Sequence, residues 1–330
     1  MDRLIIFTDF TSIIFPMVLI KTTLQAMSKR KDIEIAGICV NNLQKYHQLL
    51  LRYSQTVIKR KIRYLFDPRE KQSSVTRLPI NIEAIAGRYG FQILSPPGKN
   101  INQPNFIRQL KTVLKPTIAL SYFYPQKFSP ELLEVLGPTV NYHNGLLPKY
   151  KGLKATCWSV YNGDKETGYA FHYMNENFDE GNTLLKGGIP IKTDASLVDL
   201  ELQKTFKAAN DIPRVLEMLV NRETGKVQTG ESSYFSKKDF LEISKIENPS
   251  AHSSIELLKR LRAFGLLVMN LNGTWHDVTK LVTRASRPTT RRKLAFQAGD
   301  GVIIQATRFH YVPFPLYQIL RWTGWQPRSQ

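Results

Sequence analysis

Asn141 and His143 stand two apart in the segment TVNYHNGLLPKYKG (139–152), and Asp179 lies further on in NFDEGN (177–182). Thr139–His143 reads as a strand. Alternate residues of a strand project from one face, so the carboxamide and the imidazole share a side. An Asn, a His and an Asp that meet at the edge of a sheet can transfer an acyl group to an amine. The carboxamide donates to the carbonyl oxygen as negative charge develops on it. The imidazole acts as acid and base on the nitrogen, its pKa lying in the useful range. The carboxylate orients the ring, raises its basicity or relays the proton through water. Taken alone, Asn-x-His is a short motif, equally the mark of a satisfied structural histidine beside a turn. His172, on another strand, and His276, beside Asp277, read as structural. Cys157 reads as packing, since no base adjoins it.

The elements that must position these residues alternate. Apolar runs at Leu4–Thr8, Ile33–Val40, Phe91–Leu94, Thr117–Tyr122 and Thr139–His143 read as strands. Helical stretches are expected over Ser12–Ser28, Asn81–Tyr89, Asn105–Val113 and Ser129–Leu136, the last stopped by Gly137-Pro138. This alternation predicts an open parallel sheet, in which ligands sit at the carboxyl ends of the strands. Beyond it we expect a helix over Ala155–Tyr161, strands over Tyr169–Tyr173 and Asn182–Ile191, and a long helix over Ser196–Asn221. Residues 223–254 are polar and turn-rich, which reads as a linker. A helix over Ile255–Phe264 follows, then short β-like runs with turns at Asn272-Gly273 and Asp300-Gly301, the pattern of a small antiparallel β-domain. Domain boundaries at 1–222 and 223–330 follow.

The chain has 330 residues, 42% of them hydrophobic, which excludes a disordered or collagen-like protein. Lys and Arg number 46 against 27 Asp and Glu, a formal net charge of +19. Such a balance suits a polyanionic partner, nucleic acid or an anionic membrane surface. Leu43–Phe66 has the spacing of an amphipathic helix and carries Lys45, Arg52, Lys59, Arg60, Lys61 and Arg63 with no acid. A second cluster holds Lys280, Arg284, Arg287, Arg291, Arg292 and Lys293. Both are candidate phosphate contacts, or simply solvated faces. The aromatic and basic tail 310–328 reads as packing back on the β-domain, or as a weak peripheral membrane contact. Two cysteines, with no metal-ligand spacing, point to a reducing cytoplasm and to no metal. The N-terminus does not read as a secretory signal, and no apolar run reaches the ~20 residues of a membrane span.

Residues 141–182 resemble the 10-formyltetrahydrofolate-dependent formyltransferases, in particular the two-domain, methionyl-tRNA formyltransferase-like members. The resemblance rests on Asn141-x-His143, Leu146-Leu147-Pro148, Lys151-Gly152, Trp158, Asn162-Gly163-Asp164, Thr167-Gly168 and Asp179-x-Gly181. It extends back over KPTIALSYFYPQKFSPELLEVLGPTV (115–140) and forward to SSYFSKKDFLEIS (232–244), similar to the family's linker, and to segments of its second domain. It implies a Rossmann-like catalytic domain followed by a small OB-like β-barrel, and a transferase of one-carbon metabolism. In that reading Asn141, His143 and Asp179 are catalytic. Ser121, Tyr122, Phe123, Tyr124, Pro125, Gln126 and Lys127 form the pterin loop that binds the formyl donor, 10-formyltetrahydrofolate. Gly145, Leu146, Leu147, Pro148 and Lys154 border the acceptor. Gly145 stands where the family commonly has Ser, and Thr8-Asp9-Phe10 replaces the first turn of the tRNA-modifying members. The expected acceptor is the amino group of methionyl-initiator tRNA, in protein biosynthesis. An amino-sugar nucleotide or other small amine is the alternative, and a folate- or RNA-binding protein that has lost catalysis is the third.

Overall fold

The computed structural model describes residues 1–10, 12–52, 81–283 and 294–311. The chain divides into two compact units. The first comprises Met1–Lys151, Gly168–Ile189 and Glu201–Ser232, and the second Gly152–Thr167, Pro190–Leu200 and Ser233–Gln330.

In chain order the first unit begins with β1 (Asp2–Thr8), α1 (Ile14–Met27), β2 (Ile33–Val40) and a helical run over 43–52 (α2). It continues through α3 (Ile82–Tyr89), β3 (Gln92–Leu94), α4 (Pro104–Gln109), β4 (Ile118–Tyr122), α5 (Pro130–Leu136) and β5 (Thr139–His143). After β6 (Lys151–Gly152) and α6 (Ala155–Asn162), the latter belonging to the second unit, come β7 (Glu166–Tyr173), β8 (Thr183–Pro190) and the long α7 (Leu197–Val220). The strand order is β3-β2-β1-β4-β5-β7-β8. The pairs from β3 to β5 are parallel, as expected, whereas β7 runs antiparallel to β5.

Alternation along β1 sends Leu4 and Ile6 to one face and Ile5 and Phe7 to the other. Leu4 and Ile6 meet Met17, Leu24, Ile85, Ile212 and Leu216, so α1, α3 and α7 cover that side. Ile5 and Phe7 meet Phe106, Ile107, Leu132 and Leu136 of α4 and α5. Both faces are buried, so the strands read as continuous apolar runs rather than alternating ones. Caps fix two of the helix starts. The Asn81 side chain accepts from Ala84 N–H, and that of Ser129 from Leu132 N–H.

The second unit holds a five-stranded sheet ordered β10 (Lys245–Ile246), β11 (Leu267–Leu271), β12 (Thr274–Thr283), β14 (Ile303–Tyr311) and β13 (Leu294–Gln297). Asn272 and Gly273 both have positive φ, 54° and 78°, and close the β11–β12 hairpin. Two expectations concern this unit. Among the described residues β10 and β13 are the edges of this sheet, and no closure into the expected barrel is seen there. The supposed linker 223–254 is folded from residue 234 on, as β9 (Tyr234–Phe235), α8 (Lys237–Ser244) and β10. A Ser236/Asp239 capping box starts α8. Phe235 stacks on Trp158 at 4.0 Å, and Phe240 packs on Phe264 of α9 (Ser254–Phe264). These few aromatics supply the packing that the polar composition hid. Of the basic helix, residues 43–52 are helical; 53–66, the loop 67–79, the cluster 284–293 and the tail from 312 lie outside the described residues.

Candidate functional site

Strand β5 lies between β4 and β7, and the register aligns Ser121, Asn141 and His172 across the three strands. Residues in register on neighbouring strands project from the same face, so the carboxamide has a hydroxyl on one flank and an imidazole on the other. Asn141 Nδ2 is 3.2 Å from His172 Nε2, while His172 Nδ1–H donates to the Tyr173 carbonyl at 2.8 Å. Asp179 reaches both imidazoles. Its Oδ2 is 3.3 Å from His143 Nδ1, and its Oδ1 is 3.2 Å from His172 Nε2. His143 Nε2–H donates to the Tyr150 carbonyl at 2.8 Å. Both histidine rings are buried and the Asp179 side chain is only 10% exposed. The structure therefore brings together the three residues singled out by spacing. His172, read from the sequence as structural, belongs to the same cluster. Nothing in its own strand marked it; the signal was that Asn141 and His172 become cross-strand neighbours once β7 turns antiparallel.

The loop that carries Asp179 is built tightly. Asp179 has φ 57°, a left-handed conformation that Asp tolerates better than most residues. A Cβ on Gly181 would lie 2.0 Å from the Tyr173 carbonyl oxygen, so only glycine fits there. Gln228 Nε2 donates to the carbonyls of Asp179 (2.9 Å) and Gly181 (2.8 Å). The segment after His143 is held from α7. The fully buried Lys204 donates to the Asn144 carbonyl at 3.1 Å, and Glu201 accepts from Asn144 Nδ2 at 2.5 Å. Lys186 donates to the Leu147 carbonyl at 3.2 Å. Gln228, Lys204 and Lys186 were not legible as functional, because each acts on backbone carbonyls far away in sequence.

Burial is the main force on His143, and it holds the ring below its ordinary 6.5. The Asp179 carboxylate opposes this, while His172 and Lys204 hold the value down. A neutral ring that donates through Nε2 carries its lone pair on Nδ1. A proton arriving at Nδ1 then meets Asp179 at once and forms a charge-assisted bond. The cluster is a proton acceptor with a hydrogen-bond donor, Asn141, beside it. Among the described residues no group of three or more His, Cys, Asp or Glu is arranged to hold a metal ion.

The expected pterin loop divides between core and surface. Tyr122 is fully buried and its hydroxyl bonds Thr23 of α1 at 2.8 Å, a core position. Ser121 is also buried, yet its hydroxyl has no hydrogen-bond partner among the described residues. Phe123, with φ 60°, packs against Tyr142, and Tyr124 against Phe7 and Phe128. Pro125 and Lys127 are exposed. Gln126 ties the loop to the carboxyl end of β2, donating to Asn41 Oδ1 at 2.5 Å. Asn41 in turn donates to Asp9 at 3.2 Å, and Lys45 pairs with Asp9 at 3.5 Å. Gly145 and Leu147 are buried, and Leu146 and Pro148 half-buried. Lys154 lies in the second unit, exposed, with its ammonium 5.4 Å from the Phe240 ring centroid.

The first unit is thus an open α/β sheet, parallel from β3 to β5, that gathers Asn141, His143, His172 and Asp179 on β5, β7 and the loop after β7. Residues 99–216 match the formyl transferase family. It is 34% identical over 100 residues to GDP-perosamine N-formyltransferase of Brucella melitensis, which covers 30% of this chain and 39% of that protein. It is 31% identical over 155 residues to methionyl-tRNA formyltransferase of Thermodesulfovibrio yellowstonii, covering 46% and 49%. The chain thus spans less than half the length of these curated relatives. Among solved structures, a sugar N-formyltransferase from Shewanella is 14% identical with a TM-score of 0.56, covering 94% of this chain and 96% of that one. The N-formyltransferase from Helicobacter canadensis, in complex with folinic acid and dTDP-3-aminofucose, is 17% identical with a TM-score of 0.54. At that identity the likeness is one of fold.

Proposed function

We propose that the chain transfers a formyl group from 10-formyltetrahydrofolate to a primary amine. The observation that carries this reading is the Asn141–His172–Asp179–His143 cluster. The folate supplies an activated formyl carbon. Asn141 donates to the formyl oxygen as charge builds on it. His143, backed by Asp179, takes the proton from the attacking nitrogen and returns one to the departing nitrogen. The buried Ser121 hydroxyl, without a hydrogen-bond partner among the described residues, suits a polar atom of the donor under the 121–127 loop. The residues after His143, from Gly145 to Pro148, border the acceptor in this reading. Residues 1–222 form the catalytic domain and 223–330 the accessory domain.

The acceptor we infer is the amino group of methionyl-initiator tRNA, on the strength of the +19 charge. A second reading, an amino-sugar nucleotide, is favoured by the relative that acts on GDP-perosamine. The test mixes the protein with 10-formyltetrahydrofolate and follows tetrahydrofolate release, first with charged initiator tRNA and then with amino-sugar nucleotides. Release that requires tRNA, with binding that weakens steeply as salt rises, supports the first reading. Release only with the sugar nucleotide supports the second. Turnover that survives intact in both Asn141→Ala and His143→Ala overturns the mechanism; the expected loss for Asn141→Ala is about 10²–10³ in kcat.

A further inference from the structure

Within this reading, His172 has no task assigned to it, yet its Nε2 is the point where Asn141 and Asp179 meet. We propose that His172 is a positioning residue: its Nε2 sets the plane of the Asn141 carboxamide and ties that plane to Asp179.

The argument starts from the ring's other nitrogen. The Tyr173 carbonyl can only accept, so the 2.8 Å contact places a hydrogen on His172 Nδ1. Nε2 is then the nitrogen left to meet Asn141 and Asp179. In the neutral ring Nε2 is an acceptor, and Asn141 Nδ2–H, 3.2 Å away, donates to it. One N–H of the carboxamide is used in this way, and the second points away from His172. Asp179 Oδ1 lies 3.2 Å from the same nitrogen, so Nε2 stands between the carboxamide and the carboxylate. The carboxamide is held in one plane by this contact, and no rotamer search remains when an oxygen develops negative charge beside it.

The ring is also placed to influence the acid–base pair. His172 and His143 lie with ring centroids 6.3 Å apart and share the two oxygens of Asp179. Facing His143 are therefore Asp179 from its loop, His172 from β7, the Tyr150 carbonyl, and Lys204 from α7. His172 is one of the neighbours that hold His143 below its ordinary value. It is itself buried, 2% exposed, and anchored on Tyr173, so little solvent screens this effect.

Two variants test the proposal. His172→Phe keeps the ring shape and removes both nitrogens; His172→Gln keeps a polar end that can still meet Asn141. The expected result for His172→Phe is a ten- to hundredfold fall in kcat, with KM for 10-formyltetrahydrofolate changed less than about threefold, the mark of an interaction made in the transition state. His172→Gln recovers part of that loss. A second readout does not depend on turnover: nuclear magnetic resonance titration of the His143 imidazole moves to higher pH in both variants, because a neighbour that holds it down has left. If the protein shows no formyl transfer at all, this titration still decides whether His172 is coupled to His143. Wild-type kcat in both folded variants together with an unmoved His143 titration overturns the proposal. Should His172→Phe fail to fold, the Gln variant carries both measurements.

Discussion

At the scale of single residues, the site is governed by groups kept from water. Burial holds His143 below 6.5, so it is neutral at physiological pH and ready to accept a proton. The expected kcat/KM profile is flat through neutrality and falls on an acid limb below pH 6.5. Lys204 is one of the positive neighbours that hold the value down. Lys204→Met therefore moves the acid limb to higher pH, and a limb that stays put would separate Lys204 from the proton chemistry. Ser121 tests a different effect. A buried hydroxyl with no partner costs stability, on the order of 1–3 kcal/mol, which a ligand atom can recover. Ser121→Ala is expected to raise the thermal unfolding midpoint and weaken binding of the formyl donor. A lowered midpoint would mean that the hydroxyl already has a structural partner.

At the scale of elements, two tethers set where the catalytic side chains stand. Gln228, beyond α7, reaches the carbonyls on either side of Glu180 and holds Asp179 in its left-handed turn. Gln228→Ala frees that turn, and the expected outcome is about a tenfold lower kcat with an unchanged circular dichroism spectrum. Gln228→Glu is expected to be worse, since a carboxylate would face two carbonyl oxygens. Equal activity in all three proteins would show that the turn holds itself. These tethers also mark where the sequence stops being readable. The strands β1 to β5 were plain, because a two-sided parallel sheet needs unbroken apolar runs such as Leu4–Phe7 and Ile118–Leu120. Asn141, His143 and Asp179 were plain because they sit in short, distinctive segments. The antiparallel direction of β7 was not, since the apolar run Tyr169–Phe171 suits either direction. With the direction unknown, nothing could pair His172 with Asn141. The segment 234–246 was hidden for another reason: its packing rests on Phe235 and Phe240, two aromatics in a stretch that is otherwise polar.

For the whole molecule, charge and burial combine to set the response to acid. His143, His252 and His276 all lie below 6.5, and in each case burial is the first cause. The unfolded chain takes up protons at these residues from pH 6.5 downward, while the folded chain resists until lower pH. Stability thus falls with pH in that window and is complete above it. A second group behaves in the opposite sense. The side-chain hydrogen bonds from Ser236 and Ser254 hold Asp239 and Asp300 below 3.8, so their contribution persists down to that value and is lost beneath it. Every proton bound also adds to a net charge already at +19, and self-repulsion of a compact cation grows with it. The expected thermal midpoint is level between pH 7 and 8, declines from 6.5, and declines again below 3.8. Added salt should recover part of the first decline by screening the repulsion between exposed charges, but not the part due to buried histidines. His143→Gln should shallow the first slope. A midpoint that holds constant from pH 8 to 5 would show that the three histidines are no harder to protonate in the folded chain than in the unfolded one.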